Sequence, residues 1–202
     1  MPTPSKAPPK AAQEIIDLLR AAQSVCVVGH IRPDGDCIGS QLGLALALEG
    51  AGKDVTVWNQ DPVPPKLKFL DPERRVRKPS AGRRFDVVVA TDCAALDRLG
   101  TAADHIGDRG AFVNIDHHAS NTRYADVNWV SPREPSTGEL VFDLCNWAGW
   151  KINRSMADCL FTAISTDTGS FQYPSTTPDT LHTAAEDRKS TRLNSSHSSV
   201  SR

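Results

Sequence analysis

"VVGHIRPDGDCIGS", Val27–Ser40, is the stretch whose reading decides the fold. It opens as the end of an apolar run, Ser24–Val28, which reads as a buried strand. A Gly, His30, Asp34 and Asp36 follow within a few positions, and an apolar helical pattern begins at Cys37. An imidazole and two carboxylates at the mouth of a sheet are costly neighbours unless a cation joins them.

Strands and helices alternate outward from this point. "AAQEIIDLLRAAQ" places Ile15, Ile16, Leu18 and Leu19 at helical spacing ahead of the strand. "CIGSQLGLALALEGAG" is a helix closed by Gly50 and Gly52, and "DVTVWN" is a strand. The Pro-rich, basic stretch 61–84 reads as loop. "FDVVVATD" and "GAFVNIDHH" are near-continuous apolar runs, as strands covered on both faces are. Ser136 or Thr137 caps a helix reaching about Trp147. "RSMADCLFTAISTD" is another helix, "SFQY" is strand-like, and "TTPDTLHTAAE" opens a last helix. The fold class is therefore α/β: a doubly wound, mainly parallel sheet with helices on both faces. Ligands of such sheets lie beyond the C-terminal strand ends, where the topology switches.

The 202 residues are 39% hydrophobic and 23% charged, which suits one packed domain. A formal net charge of -1 supplies no bulk basic field for long nucleic acid. Five cysteines without a C-x-x-C pair point to a reducing compartment, hence the cytoplasm, and away from a zinc-thiolate site. No stretch is long and apolar enough to cross a bilayer, so no membrane partner is expected. Residues 1–12 read as a disordered, Pro-rich lead-in and 13–186 as the domain. Residues 187–202 change composition abruptly. "DRKSTRLNSSH" matches a translated sequencing-library adapter, so this tail is expected to be non-native and His197 is kept out of any site.

The polar residues that stand out sit where strands or helices end. His30, Asp34 and Asp36 follow the first strand. Asp92 ends another, Asp116, His117 and His118 end a third, and Asp167 closes a helix. Gathered in one crevice, these carboxylates would repel one another, and divalent cations remove that penalty. Carboxylate with some imidazole and no thiolate suits Mn2+ or Mg2+, with Co2+ an alternative. So many ligands suit two ions about 3.5–4 Å apart, an arrangement that stabilises both oxygens of an in-line displacement at phosphorus. Taken singly, each residue has a plainer reading: Asp34 and Gly35 after Pro33 make a turn, and Asp92 caps a helix. Cys37 and Cys93 read as small buried residues.

The segments "GHIRPDGDCIGS", "ATD", "NIDHHASN", "STGELVFDL" and "STDTGSFQYPSTTP" resemble those of the DHH phosphoesterase superfamily. Within it they are most similar to the nanoRNase/pAp-phosphatase (NrnA-like) branch. The resemblance implies that His30, Asp34 and Asp92 hold one metal. It implies that Asp36, Asp92, His117 and Asp167 hold the other, with Asp92 bridging. His118 would act catalytically on the scissile phosphate, and Asp116 would orient the histidines. Asn121 and Arg123 would meet substrate phosphate. Two divalent ions, Mn2+ first, would be the cofactors. Short RNA or a nucleotide would be the substrate, released as 5′-mononucleotides or, from 3′-phosphoadenosine 5′-phosphate, as AMP. Family members often dimerise, so a homodimer is allowed. The superfamily's second domain carries a Gly-Gly-His signature, and this sequence has no Gly-Gly pair. An inactive metal-binding fragment is therefore one alternative. Cyclic-dinucleotide phosphodiesterase, single-strand exonuclease, exopolyphosphatase and pyrophosphatase are others. A dinucleotide-cofactor protein is disfavoured, because the first turn lacks G-x-G-x-x-G and carries acids instead.

Overall fold

The computed structural model of the protein describes residues 7–193. Six parallel strands form one sheet: β1 (Ser24–Val28), β2 (Asp54–Trp58), β3 (Val76–Arg77), β4 (Phe85–Thr91), β5 (Arg109–Asp116) and β6 (Val127–Val130). Their spatial order is β3-β2-β1-β4-β5-β6, so the order reverses between β1 and β4. Register levels the strand ends there. Val28 lies beside Ala90, and Thr91 beside Ile115. The chain therefore leaves β1, β4 and β5 at one height, and the loops that follow open onto one crevice.

Alternation along each strand sorts the core into two sides. Val25, Val27, Val57, Val87, Val89, Val113 and Ile115 face one apolar cluster. On that side pack α1 (Lys10–Ala21), α2 (Gly35–Gly50), α3 (Thr137–Ala148) and α4 (Arg154–Asp167). Cys26, Val28, Val88 and Ala90 face the other cluster with Leu99 and Ala102. A 3-10 helix, Leu96–Ala102, covers this second face where an α-helix would be usual. Gly100 breaks that segment with φ 57° and ψ -138°, and a Cβ there would sit 2.3 Å from Gln60 Oε1. Among the described residues the sheet is wholly parallel, a step beyond the mainly parallel expectation.

Some elements differ from the sequence reading. The two-residue β3 and a 3-10 helix at Pro65–Leu70 lie in the stretch read as loop, and β6 lies in a stretch to which the sequence assigned no element. Both strands are edges too short to show a period, and pairing with β5 and β2 creates them. "SFQY" is no strand. Thr168–Ser175 is a run of turns in which Gly169, Ser170 and Phe171 all take positive φ. α1 begins at Lys10, inside the expected lead-in, because Ala12 is buried in the core. The last helix, α5, is Pro178–Leu193 and runs past Glu186 into the expected tail. Residues 1–6 of the lead-in and 194–202 of the tail lie outside the described residues.

The packing of α2 on α4 decides where Asp167 ends up. Gly35, Gly39 and Gly43 put one small residue on each turn of α2. A Cβ at Gly39 would lie 2.4 Å from the Cys159 carbonyl oxygen, and one at Gly35 would strike the Thr166 side chain at 2.4 Å. Only glycine lets α4 lie this close, with Asp167 as its last residue. Gly39→Leu should therefore destabilise the fold by about 1–3 kcal/mol, since the obstacle is backbone that cannot swing away. Gly50→Ala is the control, with nothing within 4 Å of its Cβ. It should be neutral or stabilising by up to about 1 kcal/mol in denaturant titrations.

Candidate metal centre

Each expected ligand is carried by a short, firmly held segment. His30 lies two residues past β1 and is buried. Asp34 N-caps α2, its Oδ1 accepting from Cys37 N at 3.0 Å, so a helix start and not a turn holds this residue. Asp36 is fully buried in the first turn of α2. Asp92 follows β4 with φ 56°, a left-handed conformation unusual for a residue with a side chain. Its N–H donates to Ile115 O at 3.0 Å, which ties the kink to β5.

These segments meet at the β1/β4 reversal. His30 Nε2 lies 3.4 Å from Asp92 Oδ2 and 3.8 Å from Asp34 Oδ1. His117 Nε2 lies 3.1 Å from Asp167 Oδ2, and 3.7 Å from both Asp36 Oδ2 and Asp92 Oδ1. The two oxygens of Asp92 thus face different imidazoles. His30, Asp34, Asp36, Asp92, His117 and Asp167, all singled out from sequence, come together in one pocket.

The pocket is electrostatically incomplete. Burial, then the charges of Asp92 and Asp167, raise the Asp36 pKa well above the carboxylate range. Burial likewise raises that of Asp92, against the pull of His30. Enclosure works against charge on His30 and His117, yet their carboxylate contacts hold both above the ordinary imidazole value. His117 Nε2 is buried and has no hydrogen-bond partner, while its Nδ1 lies 3.3 Å from Glu134 O. With Nδ1–H donating to that carbonyl, the Nε2 lone pair points at three carboxylates, an arrangement that a metal ion satisfies. Oxygen and imidazole donors fit a divalent cation. Cys37 Sγ also lies within 4.8 Å of the His30 and Asp92 donor atoms. Burial pushes its thiol up to about 11, so it stays neutral.

The family model described as "DHH family, N-terminal domain" matches residues 24–164, which span β1 through most of α4. The chain belongs to the DHH family. A curated relative from Thermus thermophilus, "Bifunctional oligoribonuclease and PAP phosphatase NrnA", is 36% identical over 178 residues, covering 85% of this chain and 52% of the relative. A protein of the same description from Bacillus subtilis is 29% identical, covering 86% of this chain and 55% of its own. The chain spans about half the length of these relatives. A solved structure described as an exopolyphosphatase-related protein from Bacteroides fragilis superposes with a TM-score of 0.82 at 27% identity, covering 89% of this chain and 56% of that one.

The DHH triplet itself divides the labour. His118 Nδ1 lies 2.8 Å from Asp116 Oδ1, which leaves Nε2 free on a side chain 35% exposed. Asp116 is fully buried, and Asn121 Nδ2 donates to its Oδ2 at 2.6 Å. The hydrogen bond that His118 donates to Asp116 raises the His118 pKa despite burial. Asp116 therefore touches His118 and Asn121 and orients the imidazole. Asn121 needs correcting as a phosphate contact. Its amide nitrogen also reaches Asn114 Oδ1 at 2.7 Å, and its Oδ1 accepts from Arg123 N, so the side chain is used up internally. Arg123 is exposed.

Thr137 is the residue whose reach sequence reading missed. On sequence alone it is no more than a candidate helix cap. Ser136 is indeed the N-cap of α3, accepting from Glu139 N at 3.2 Å. Thr137 N and Gly138 N, at the same helix end, donate to the two oxygens of Asp36 at 2.6 and 2.8 Å. Thr137 Oγ1 donates to Asp92 Oδ1 at 3.0 Å. One helix start thus fixes two carboxylates that lie more than forty residues upstream. The signal was "STGEL" with its capping residues, but nothing local says whose carboxylate the exposed N–H groups meet.

Glu139 behind them generates a pH prediction. Burial raises its pKa to about 7 against a donor from Thr180, and Glu134, Asp143 and Asp179 push the same way as burial. The folded protein keeps this proton up to about pH 7, whereas the unfolded chain releases it near 4.5. Stability therefore falls as pH rises through that window, by on the order of 3 kcal/mol. Glu139→Gln should lack this component, so its advantage over the parent should grow from pH 4.5 to 7 in urea titrations. Parallel curves would show that Glu139 ionises normally.

Proposed function

We propose that the protein is a two-metal phosphoesterase that hydrolyses short oligoribonucleotides to 5′-mononucleotides and removes the 3′-phosphate of 3′-phosphoadenosine 5′-phosphate. The observation that carries this reading is the position of Asp92, with one oxygen toward His30 and the other toward His117. In this assignment His30, Asp34 and Asp92 hold one ion. Asp36, Asp92, His117 and Asp167 hold the second. A pair of divalent cations there, Mn2+ by preference, would supply a water of lowered pKa and offset charge on the phosphoryl oxygens.

The chain's own residues do the rest. Asp36, held by the α3 N-terminus, cannot swing out of the pocket. His118, kept protonated by Asp116, presents Nε2 toward the open side of the crevice and gives a proton to the leaving oxygen. The names of the relatives support the substrate class. A net charge of -1 suits short substrates, since capture of long strands relies on an extended basic track. All five cysteines are buried and none forms a disulfide, which suits a reducing, cytoplasmic setting. No described helix is long and apolar enough to cross a membrane. Dimerisation is assigned by family habit and is measured by sedimentation.

Calorimetric titration with Mn2+ should give two sites per chain, and chelation should abolish hydrolysis. Asp92→Asn should lose the two-ion signature, because both ions share that carboxylate. Normal binding of two ions by this variant would end the bridging assignment. His118→Ala should bind metal normally yet lower kcat by about 10²–10⁴-fold. Loss of metal would make it a ligand instead. Hydrolysis should be faster for a dinucleotide, read as mononucleotide release, than for a long strand, or for polyphosphate read as orthophosphate release, and the reverse order would redirect the substrate.

A further inference from the structure

Arg98 lies in the 3-10 helix that follows Asp92. Its carbonyl accepts from Ile31 N at 2.8 Å, which pins it to the loop carrying His30, Asp34 and Asp36. The side chain is half-buried, and Nη2 reaches within 3.1 Å of His30 Nδ1. That nitrogen already has a partner in Ile31 O, at 2.7 Å. A carbonyl only accepts and a guanidinium only donates, so Nδ1 can satisfy one of them. The shorter contact goes to the carbonyl, and it leaves His30 Nε2 facing the carboxylates. Arg98 then points N–H groups at a donor. Among the described residues no carboxylate oxygen lies within 4.0 Å of its guanidinium, although acidic side chains crowd the crevice beside it. By contrast Arg75, Arg83 and Arg84 all hold carboxylates at 3.2 Å or less. A guanidinium does not shed its charge, and its planar fork matches two oxygens of a phosphoryl group.

We infer that Arg98 is a phosphate-binding residue of this site, donating to a non-bridging oxygen of a phosphoryl group that enters the crevice beside His30. The inference rests on the phosphoesterase reading and assigns the substrate's negative charge a partner on the protein. Arg123 and Arg32 are both exposed, whereas Arg98 is held against the pocket wall.

The test uses the full chain and two measurements. Mn2+ binding is followed by the electron paramagnetic resonance of the free ion. Inorganic phosphate, and separately 5′-AMP, is then titrated calorimetrically into the Mn2+-loaded protein. Arg98→Gln should weaken both anions about 10-fold or more with Mn2+ stoichiometry and affinity unchanged, and Arg98→Lys should recover part of the loss. Equal anion affinity in the parent and Arg98→Gln overturns the inference. Loss of Mn2+ binding in Arg98→Gln also overturns it, making Arg98 a positioning residue for His30. A parent chain that binds Mn2+ but ignores both anions overturns this inference alone. A parent chain that binds no Mn2+ overturns the phosphoesterase reading with it.

Discussion

Mutual repulsion among carboxylates drawn into one crevice is the constraint around which this protein is built. Asp36 and Asp92 are almost wholly buried, and Asp34 and Asp167 stand beside them. Solvent cannot screen the inner pair, and no Lys or Arg is paired with either among the described residues. Compensation comes from two imidazoles, from helix N–H groups and from a threonine hydroxyl. These soften the repulsion without ending it, as the raised pKa values of Asp36 and Asp92 record. A site left in such tension is suited to a cation, which would finish a neutralisation the protein has only begun.

The scaffold makes that tension affordable by holding each acid from behind. α3 serves twice, capped by its own Ser136 while its first N–H groups grip Asp36. α2 offers Asp34 and Asp36 from its first turn, and its glycines bring α4 close enough to add Asp167. The parallel sheet fixes the rest, since its register ends β1, β4 and β5 at one level. The buried amide of Gln41 secures the rear of the site. Its Nε2 lies within 3.1 Å of Val27 O, Trp58 O and Asn59 Oδ1, and its two N–H groups shared among them stitch β1 to β2 just before the loop departs. Rigidity of this kind lets carboxylates stay close without collapsing onto any convenient cation.

Much of this was legible before any coordinates. Val25–Val28, Phe85–Thr91 and the run ending at Asp116 are apolar, β-branched and bounded by polar residues, so their local chemistry declares them strands. The candidate ligands were legible for a related reason: Asp and His recur at the ends of several strands and helices, more often than turns and caps alone explain. The edge strands β3 and β6 were not, because two and four residues show no period. "SFQY" misled because its composition suits a strand, whereas Thr168 controls the backbone. Thr168 O accepts from both Gln172 N and Tyr173 N and closes the chain into turns. Asn121 misled too, since an amide after a DHH triplet can face outward to a phosphate or inward to Asp116, and sequence does not distinguish them.

Sequence by itself determined the parallel α/β architecture, the strands whose ends carry chemistry and the side chains able to hold divalent ions, because periodicity and residue type are local properties. Tertiary structure alone decided which oxygen of Asp92 faces which imidazole, that Thr137 and the start of α3 hold two distant carboxylates, and that Arg98 stands beside His30 without a carboxylate partner among the described residues. Those facts depend on strand register and helix approach, which arise only when residues far apart in the chain pack together.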